Sequence, residues 1–412
     1  MRILIIAMKT WGELGNYLAA KSLARTIHDV MPDVHIRIEE SEKYVPVFSA
    51  FGREIKEIHF NDFSSRKIKQ AYMGIMAKIE RIFPPQFELM DTFDGTIREY
   101  FNKLLEDISL FKPDIIIGTK GIISRICSAV VRSNGLNISV VNFITNHGLL
   151  QLPIHQSNHV DVHIVQFREG MDYLLNELKY DKDKCKLVQP LVVSHGLKYL
   201  HYETALKNTE SVSEKKEADQ TFELKVVIFS NRGSDKYLKI IRHIVENVDS
   251  CNCIFICYND KQLAEKASAF LPAAGGTKLQ IYHKLEQREY FSLINGISHA
   301  KTVLISKAGP NTVLEAVFLN MPVLVTKSGL PMEDWVFEMV KQNGIGMTAD
   351  TIDETIKNID RCIADPEMIN GFKNNIDIYR RSITGESATD LRSVLTEVHS
   401  NRRYYEHFHK AY

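Results

Sequence analysis

Residues 302–326 read TVLISKAGPNTVLEAVFLNMPVLVT. An apolar run is followed by a tight turn, a short helix and a second apolar run. Val303, Leu304 and Ile305 have the continuous apolar character of a strand buried on both faces. Ala308-Gly309-Pro310 turns the chain, Val313 to Leu319 forms a short helix, and Met321-Pro322 ends it before the next strand. Strand, helix and strand in that order build a parallel sheet. The first helical turn leaves backbone N–H groups beside the positive end of the helix dipole, a setting that suits a phosphate. Gly309 lets a ligand approach closely, and Thr312 adds a hydroxyl donor. Glu315, one turn further on, offers a carboxylate able to accept both hydroxyls of a ribose. Thr312-x-x-Glu315 also has the form of a capping box, which only starts a helix, and the motif alone leaves both readings open.

The same rhythm runs outward in both directions. RILIIAM at the amino terminus predicts a buried strand, followed by Leu18, Ala19, Leu23, Ala24 and Ile27 at helical spacing. It lacks the longer apolar run and cleavage site of a signal peptide. DIIIG, ISVVNF and VHIV predict further strands in the first half, and KVVIFS, CIFICY, LQIY, TVLIS and PVLVT in the second. Between the halves, LKNTESVSEKKEADQ (residues 206–220) holds almost nothing that can enter a core and reads as a linker. The expected organisation is two doubly wound α/β domains, residues 1–195 and 223–385, joined by residues 196–222. A carboxyl-terminal helix and tail follow at 386–412. In such sheets ligands sit beyond the carboxyl ends of the strands, so two facing sheets would make a central cleft. Leu391, Val394, Leu395 and Val398 repeat at i, i+3, i+4, i+7, which predicts an amphipathic terminal helix packed on the body.

Length and composition agree with this. At roughly 150 residues per domain, 412 residues allow two to three domains. The 44% hydrophobic and 25% charged content excludes disordered, collagenous and disulfide-scaffold chains. Lys+Arg and Asp+Glu both number 51, so no global charge points to nucleic acid as partner. No run approaches the roughly 18 apolar residues of a membrane span, and a cytoplasmic compartment is expected. Cys251, Cys253 and Cys257 lack the paired spacing of a zinc site.

SKAGPNTVLEA, the strand beginning at Pro322 and then GLPMEDW together resemble the nucleotide-sugar signature of GT-B glycosyltransferases. The closest subgroup holds the monogalactosyldiacylglycerol synthases, the processive diacylglycerol glucosyltransferases and MurG. There the pattern is (T/S)K(A/P)GGxTxxEA followed by a PGQE-like loop. Asn311 stands in place of a Gly, and Met332-Glu333-Asp334 in place of Gly-Gln-Glu. KVVIFSNRGSD, LQIYHKLEQREYFSLINGISHAKTVLIS, ITNHGLLQLPIHQSNHVDVHIV and KLVQPLV resemble further family segments in the family's order. The resemblance implies two Rossmann-like domains about a cleft, with donor bound by the carboxyl-terminal domain and acceptor by the amino-terminal one. It implies a nucleotide-sugar co-substrate, a UDP-sugar, no metal and no other cofactor. Glu315 would then hold the ribose, Gly309, Asn311 and Thr312 the diphosphate, and Glu333 and Asp334 the sugar hydroxyls. Ser230 and Arg232 would face the phosphates.

The family's amino-terminal loop carries a His as in GGGH, whereas KTWGELGNYLAA keeps Gly12 and Gly15 and places Asn16 there. Asn cannot take a proton from an acceptor hydroxyl, so Glu13 and His147 become the candidate bases. Trp11, Gly12 and His155 are the candidate acceptor-binding residues. His155 and His159 stand at i, i+4, but Gln156 removes the HExxH metal motif. Asp181-Lys182-Asp183 superficially resembles a metal-binding DxD and reads as a charged turn.

RKIKQAYMGIMAKIERIF (residues 66–83) puts Ile68, Tyr72, Ile75, Met76, Ile79, Ile82 and Phe83 on one helical face and its cations elsewhere. Such a helix either packs on the sheet or lies on an anionic bilayer. Hence the acceptor is expected to be a small molecule or a lipid; packing on the sheet is the favoured reading of the helix, and the bilayer reading would bring peripheral contact to the inner membrane face through residues 66–83. Two rival readings of the same fold are a non-hydrolysing UDP-GlcNAc 2-epimerase and a non-catalytic partner subunit.

Overall fold

A computed structural model describes residues 1–9, 15–60, 65–84, 87–190, 224–230, 235–248, 251–257, 260–273, 278–285, 287–298, 301–384 and 389–409. The chain divides into two compact units, one of Met1–Lys56, Ala71–Val192 and Ile383–Tyr412 and one of Glu57–Gln70 and Val193–Ser382. The expected linker and the expected domain limits at 195, 222 and 385 lie outside the described residues.

The first unit holds strands β1 (Arg2–Ala7), β2 (His35–Glu40), β3 (Ile115–Gly118), β4 (Ser139–Ile144), β5 (Val162–Val165) and β6 (Cys185–Leu187). They form one parallel sheet in the order β2-β1-β3-β4-β5-β6. Ile5 of β1 stands opposite Ile38 on one side and Ile117 on the other. One face of the sheet buries Ile3, Ile5, Ile117, Val141 and Phe143 against Ala19, Leu23 and Ile27 of the Gly15–Val30 helix. Leu391, Val394, Leu395 and Val398 of the Leu391–His409 helix complete that core, so the chain's last helix returns to its first unit.

The second unit repeats the plan with β7 (Leu224–Phe229), β8 (Cys251–Ile256), β9 (Lys278–Tyr282), β10 (Thr302–Lys307), β11 (Val323–Thr326) and β12 (Gly346–Ala349). Its order is β12-β11-β10-β7-β8-β9, again all parallel. Cys251 and Cys253 lie in β8 and Cys257 just beyond it, all as buried free thiols. The strands read from apolar runs are present in both sheets. β2, β6 and β12, three of the four edge strands, carry no such run.

In both units the chain winds one way, returns, and continues on the other side of its first strand. The reversal falls between β1 and β3 in the first sheet and between β7 and β10 in the second. Crossovers leaving such a pair cover opposite faces and open a crevice at the strands' carboxyl ends.

One expectation, the helix start at Val313, needs correction. The helix after β10 spans Pro310–Phe318, starting three residues before Val313, because Pro310 takes its first position, where a missing N–H costs nothing. It ends with Asn320 in the left-handed region (φ 53°), while the Met321 N–H donates to the Ala316 carbonyl at 2.8 Å. His155 and His159 do not share a helical face. His155 closes a short turn, Pro153–His155, and His159 Nε2 lies 2.8 Å from a Glu88 carboxylate oxygen.

The Ser65–Ile82 helix buries Ile68, Tyr72, Ile75, Met76 and Ile79, and Phe83 just beyond it is buried too. Lys67, Lys69, Met73, Lys78 and Arg81 remain exposed. Its apolar face is therefore already covered by protein. Among the described residues no helix is long and apolar enough to cross a membrane.

Gly121 opens the helix after β3 against the Pro153–His155 turn. A Cβ there would lie 1.7 Å from the His155 carbonyl oxygen. Gly121→Ala is expected to destabilise the protein by about 1–3 kcal/mol, the usual range for overpacking. An unchanged urea midpoint would show that the turn can shift at no cost.

Candidate nucleotide site at the second switch point

The carboxyl ends of β7 and β10 bring together the parts expected of a donor site. β7 ends at Phe229, and Ser230 follows it fully buried, its N–H donating to the Ile256 carbonyl at 2.9 Å. Arg232 lies outside the described residues. β10 ends at Lys307, and the Gly309 N–H turns back onto the Lys307 carbonyl at 2.6 Å. Gly309 is the N-cap of the Pro310–Phe318 helix and, with no side chain, provides no cap of its own. Asn311 and Thr312 occupy the second and third helical positions, where N–H groups have no acceptor within the helix.

This start excludes the capping box. Thr312 lies inside the helix, and Glu315 reaches the Gln287–Ser298 helix, where the Tyr290 hydroxyl donates to its Oε2 at 2.9 Å. The Tyr290 ring packs on Phe229 with centroids 5.4 Å apart. Burial pushes the Glu315 carboxyl up to about 7, against the opposing effect of the Tyr290 hydrogen bond.

Gly309 is required by neither backbone strain nor space. Its φ is −82°, and the nearest atom to an added Cβ would be the Thr312 hydroxyl at 3.8 Å. The fold thus leaves an open backbone at the helix start.

Lys307, which the sequence reading overlooked, belongs to the same site. Its Nζ lies 3.1 Å from Glu333 Oε1. Glu333 is 7% exposed, in the Pro331–Glu333 turn after β11, and its buried Oε2 has no hydrogen-bond partner among the described residues. A buried carboxylate oxygen without a donor is costly, and a ligand hydroxyl would satisfy it. Asp334 begins the next helix, where a carboxylate also favours the dipole. Resemblance within the SKAG segment was the available signal for Lys307. Its pairing with a residue 26 positions away was not legible.

In the first unit the corresponding crevice lies between β1 and β3. Trp11, Gly12 and Glu13 fall outside the described residues. Asn16 is buried, and its Oδ1 accepts from the Thr145 hydroxyl at 2.7 Å. His147 is buried against the Phe167 ring, and burial pushes it down to about 3. His155, 1% exposed, is held well below its usual value by burial and by the nearby cations Lys120 and Arg125. Both imidazoles are therefore kept neutral, and gaining a proton is unfavourable for each. Asp181 caps its own turn through the Asp183 N–H at 3.0 Å.

Lys120 went unnoticed in the sequence. It follows β3 as N-cap of the Gly121–Ser133 helix and is 4% exposed. Burial lowers its amine to about 7, with Glu42 acting the other way. Glu42 in turn accepts from the Lys9 N–H at 2.9 Å, where the chain leaves β1.

Glu315 has a raised value in the fold, so its protonated form stabilises the protein fully below about 4.5 and this contribution fades as pH rises through about 7. Glu315→Gln is expected to match the wild type near pH 4.5 and to exceed it by about 1 kcal/mol or more at pH 8, since each tenfold change in proton affinity is worth roughly 1.4 kcal/mol. Denaturant midpoints at the two pH values check this, and a gain of equal size at both would overturn it.

No family model and no curated protein matches the sequence. Solved structures do match. Os79 from O. sativa is 10% identical with a TM-score of 0.57, covering 97% of this chain and 100% of that one. MurG of Acinetobacter baumannii is 9% identical with a TM-score of 0.55, covering 97% and 99%. A UDP-GlcNAc 2-epimerase from Neisseria meningitidis, solved with UDP-GlcNAc, is 13% identical with a TM-score of 0.52, also covering 97% and 99%. At these identities the likeness concerns the fold. With two parallel six-stranded sheets and flanking helices, the chain has the GT-B fold found in glycosyltransferases.

Proposed function

We propose that the protein is a glycosyltransferase that moves a sugar from a nucleotide sugar, a UDP-sugar, to an acceptor with inversion at the anomeric carbon. The observation that carries this reading is the β7/β10 crevice itself. An uncapped helix start at Gly309, a carboxylate at Glu315 and a buried, half-satisfied carboxylate at Glu333 converge there. In this reading the helix start and Lys307 face the diphosphate, Glu315 the ribose, and Glu333 and Asp334 the sugar hydroxyls. The acceptor oxygen forms a bond to the anomeric carbon while the bond to the diphosphate oxygen breaks. The charge that develops on the leaving diphosphate falls to preorganised N–H donors and Lys307, so the reading calls for no metal.

On the acceptor side we place the acceptor over the β1/β3 crevice. Asn16 cannot take its proton, and Lys120, with an amine near neutrality, is the described group best suited to receive it. We favour a small-molecule acceptor over a lipid, because the apolar face of the Ser65–Ile82 helix is already buried.

Calorimetric titration with UDP, GDP, dTDP and CDP tests the donor site, with saturable binding of UDP expected. Binding of none would overturn the proposal. Glu315→Ala is expected to weaken UDP about tenfold, equivalent to roughly 1.4 kcal/mol. Equal affinity would remove the ribose role. Gly309→Ala is expected to cost up to about 1 kcal/mol of stability, as an N-cap Gly replaced by Ala does, and in addition to weaken UDP severalfold, since a bound diphosphate needs the open backbone. Conversion of UDP-GlcNAc without any acceptor would indicate an epimerase instead.

A further inference from the structure

Glu315 presents two oxygens to two different neighbourhoods. Oε2 is held by the Tyr290 hydroxyl at 2.9 Å, while Oε1 makes no hydrogen bond among the described residues. Tyr290 is itself braced by Phe229, the last residue of β7. Three elements around the switch point thus fix one carboxylate: the β7 end, the Gln287–Ser298 helix and the Pro310–Phe318 helix. We infer that Tyr290 is a positioning residue for nucleotide recognition, holding Oε2 of Glu315 so that Oε1 is left for the ribose hydroxyls. The inference rests on the nucleotide-site reading and adds to it a specificity device for the ribose.

The chemistry makes the role visible through pH. Accepting ribose hydroxyls requires the carboxylate form. Burial alone favours the protonated form, and the Tyr290 hydrogen bond opposes burial. Other charged groups nearby are engaged elsewhere or lie outside. Lys307 pairs with Glu333, Arg380 with Asp377 and the Phe318 carbonyl, and Glu289 is exposed. Loss of the hydroxyl should therefore drive Glu315 further toward protonation at neutral pH, and ribose binding should fade with it. At higher pH the carboxylate forms without help, and the loss should shrink.

The test is calorimetric titration of wild type and Tyr290→Phe with UDP and with 2′-deoxyuridine diphosphate between pH 6.5 and 9. The ligand's own ionisation is common to both proteins and cancels in the ratio of affinities. The expected result is a loss for UDP of about fivefold near pH 7, where the wild-type carboxyl is about half ionised, as follows if the Tyr290 hydroxyl makes the carboxyl about tenfold more acidic. That loss should narrow toward pH 9 and be smaller for the deoxy ligand. In a Glu315→Gln background, Tyr290→Phe should no longer produce a pH-dependent loss. An unchanged UDP affinity, or a loss equal at every pH, would overturn the positioning role while leaving the nucleotide site intact. Failure of the wild type to bind UDP would overturn the site reading and this one together.

Discussion

β7 and β10 lie side by side, yet the chain leaves them in opposite directions across the sheet. Connections that depart to opposite faces cannot close over both strand ends, and a crevice remains. The candidate donor chemistry depends on that constraint. Ser230 follows one strand, Lys307 ends the other, and Gly309 starts the helix that leaves the second. The first sheet repeats the reversal at β1 and β3, where Lys9 and Lys120 stand.

Around these crevices the protein buries groups that would be more stable in water. Glu315 and Lys120 are both moved toward neutrality by burial, in opposite directions along the pH scale. Glu333 keeps a buried oxygen without a donor among the described residues, although Lys307 serves its other oxygen. The cores that flank the sheets are apolar, although buried polar groups also occur within the strands, such as Asn142 of β4 and His163 of β5, which lie 3.3 Å apart. Groups perturbed in this way collect where a ligand can supply the missing partner, and structural stability is reduced locally to keep them there.

The two crevices differ in kind. The second offers an anion-seeking helix start flanked by carboxylates suited to hydroxyls, which is the pairing a nucleotide sugar needs. The first offers cations and neutral imidazoles: Lys120, Arg125, His147 and His155. Asn16 is bound to Thr145 by a neutral hydrogen bond, so this position cannot work by proton transfer. In the proposed reaction the acceptor's proton must go to another group, and Lys120, its amine lowered by burial, is the one proposed.

Much of this was legible in the sequence. Continuous apolar runs announced the central strands because parallel strands covered on both faces tolerate little else. Three of the four edge strands, β2, β6 and β12, were silent; one side of an edge strand faces no neighbouring strand, so its residues need not be uniformly apolar, although β9 at the fourth edge kept a readable run. The turn at Gly309 and the acid at Glu315 could be singled out because helix starts and anion sites obey local rules. The capping-box alternative could not be dismissed locally, since it differed only in where the helix began, and Pro310 decided that. Partner choice was decided by tertiary structure. Tyr290 meets Glu315, Lys307 meets Glu333, Thr145 meets Asn16, and the helix from Leu391 returns to the first core. Periodicity records whether a residue is buried, whereas crossover connections determine which distant residue it is buried against.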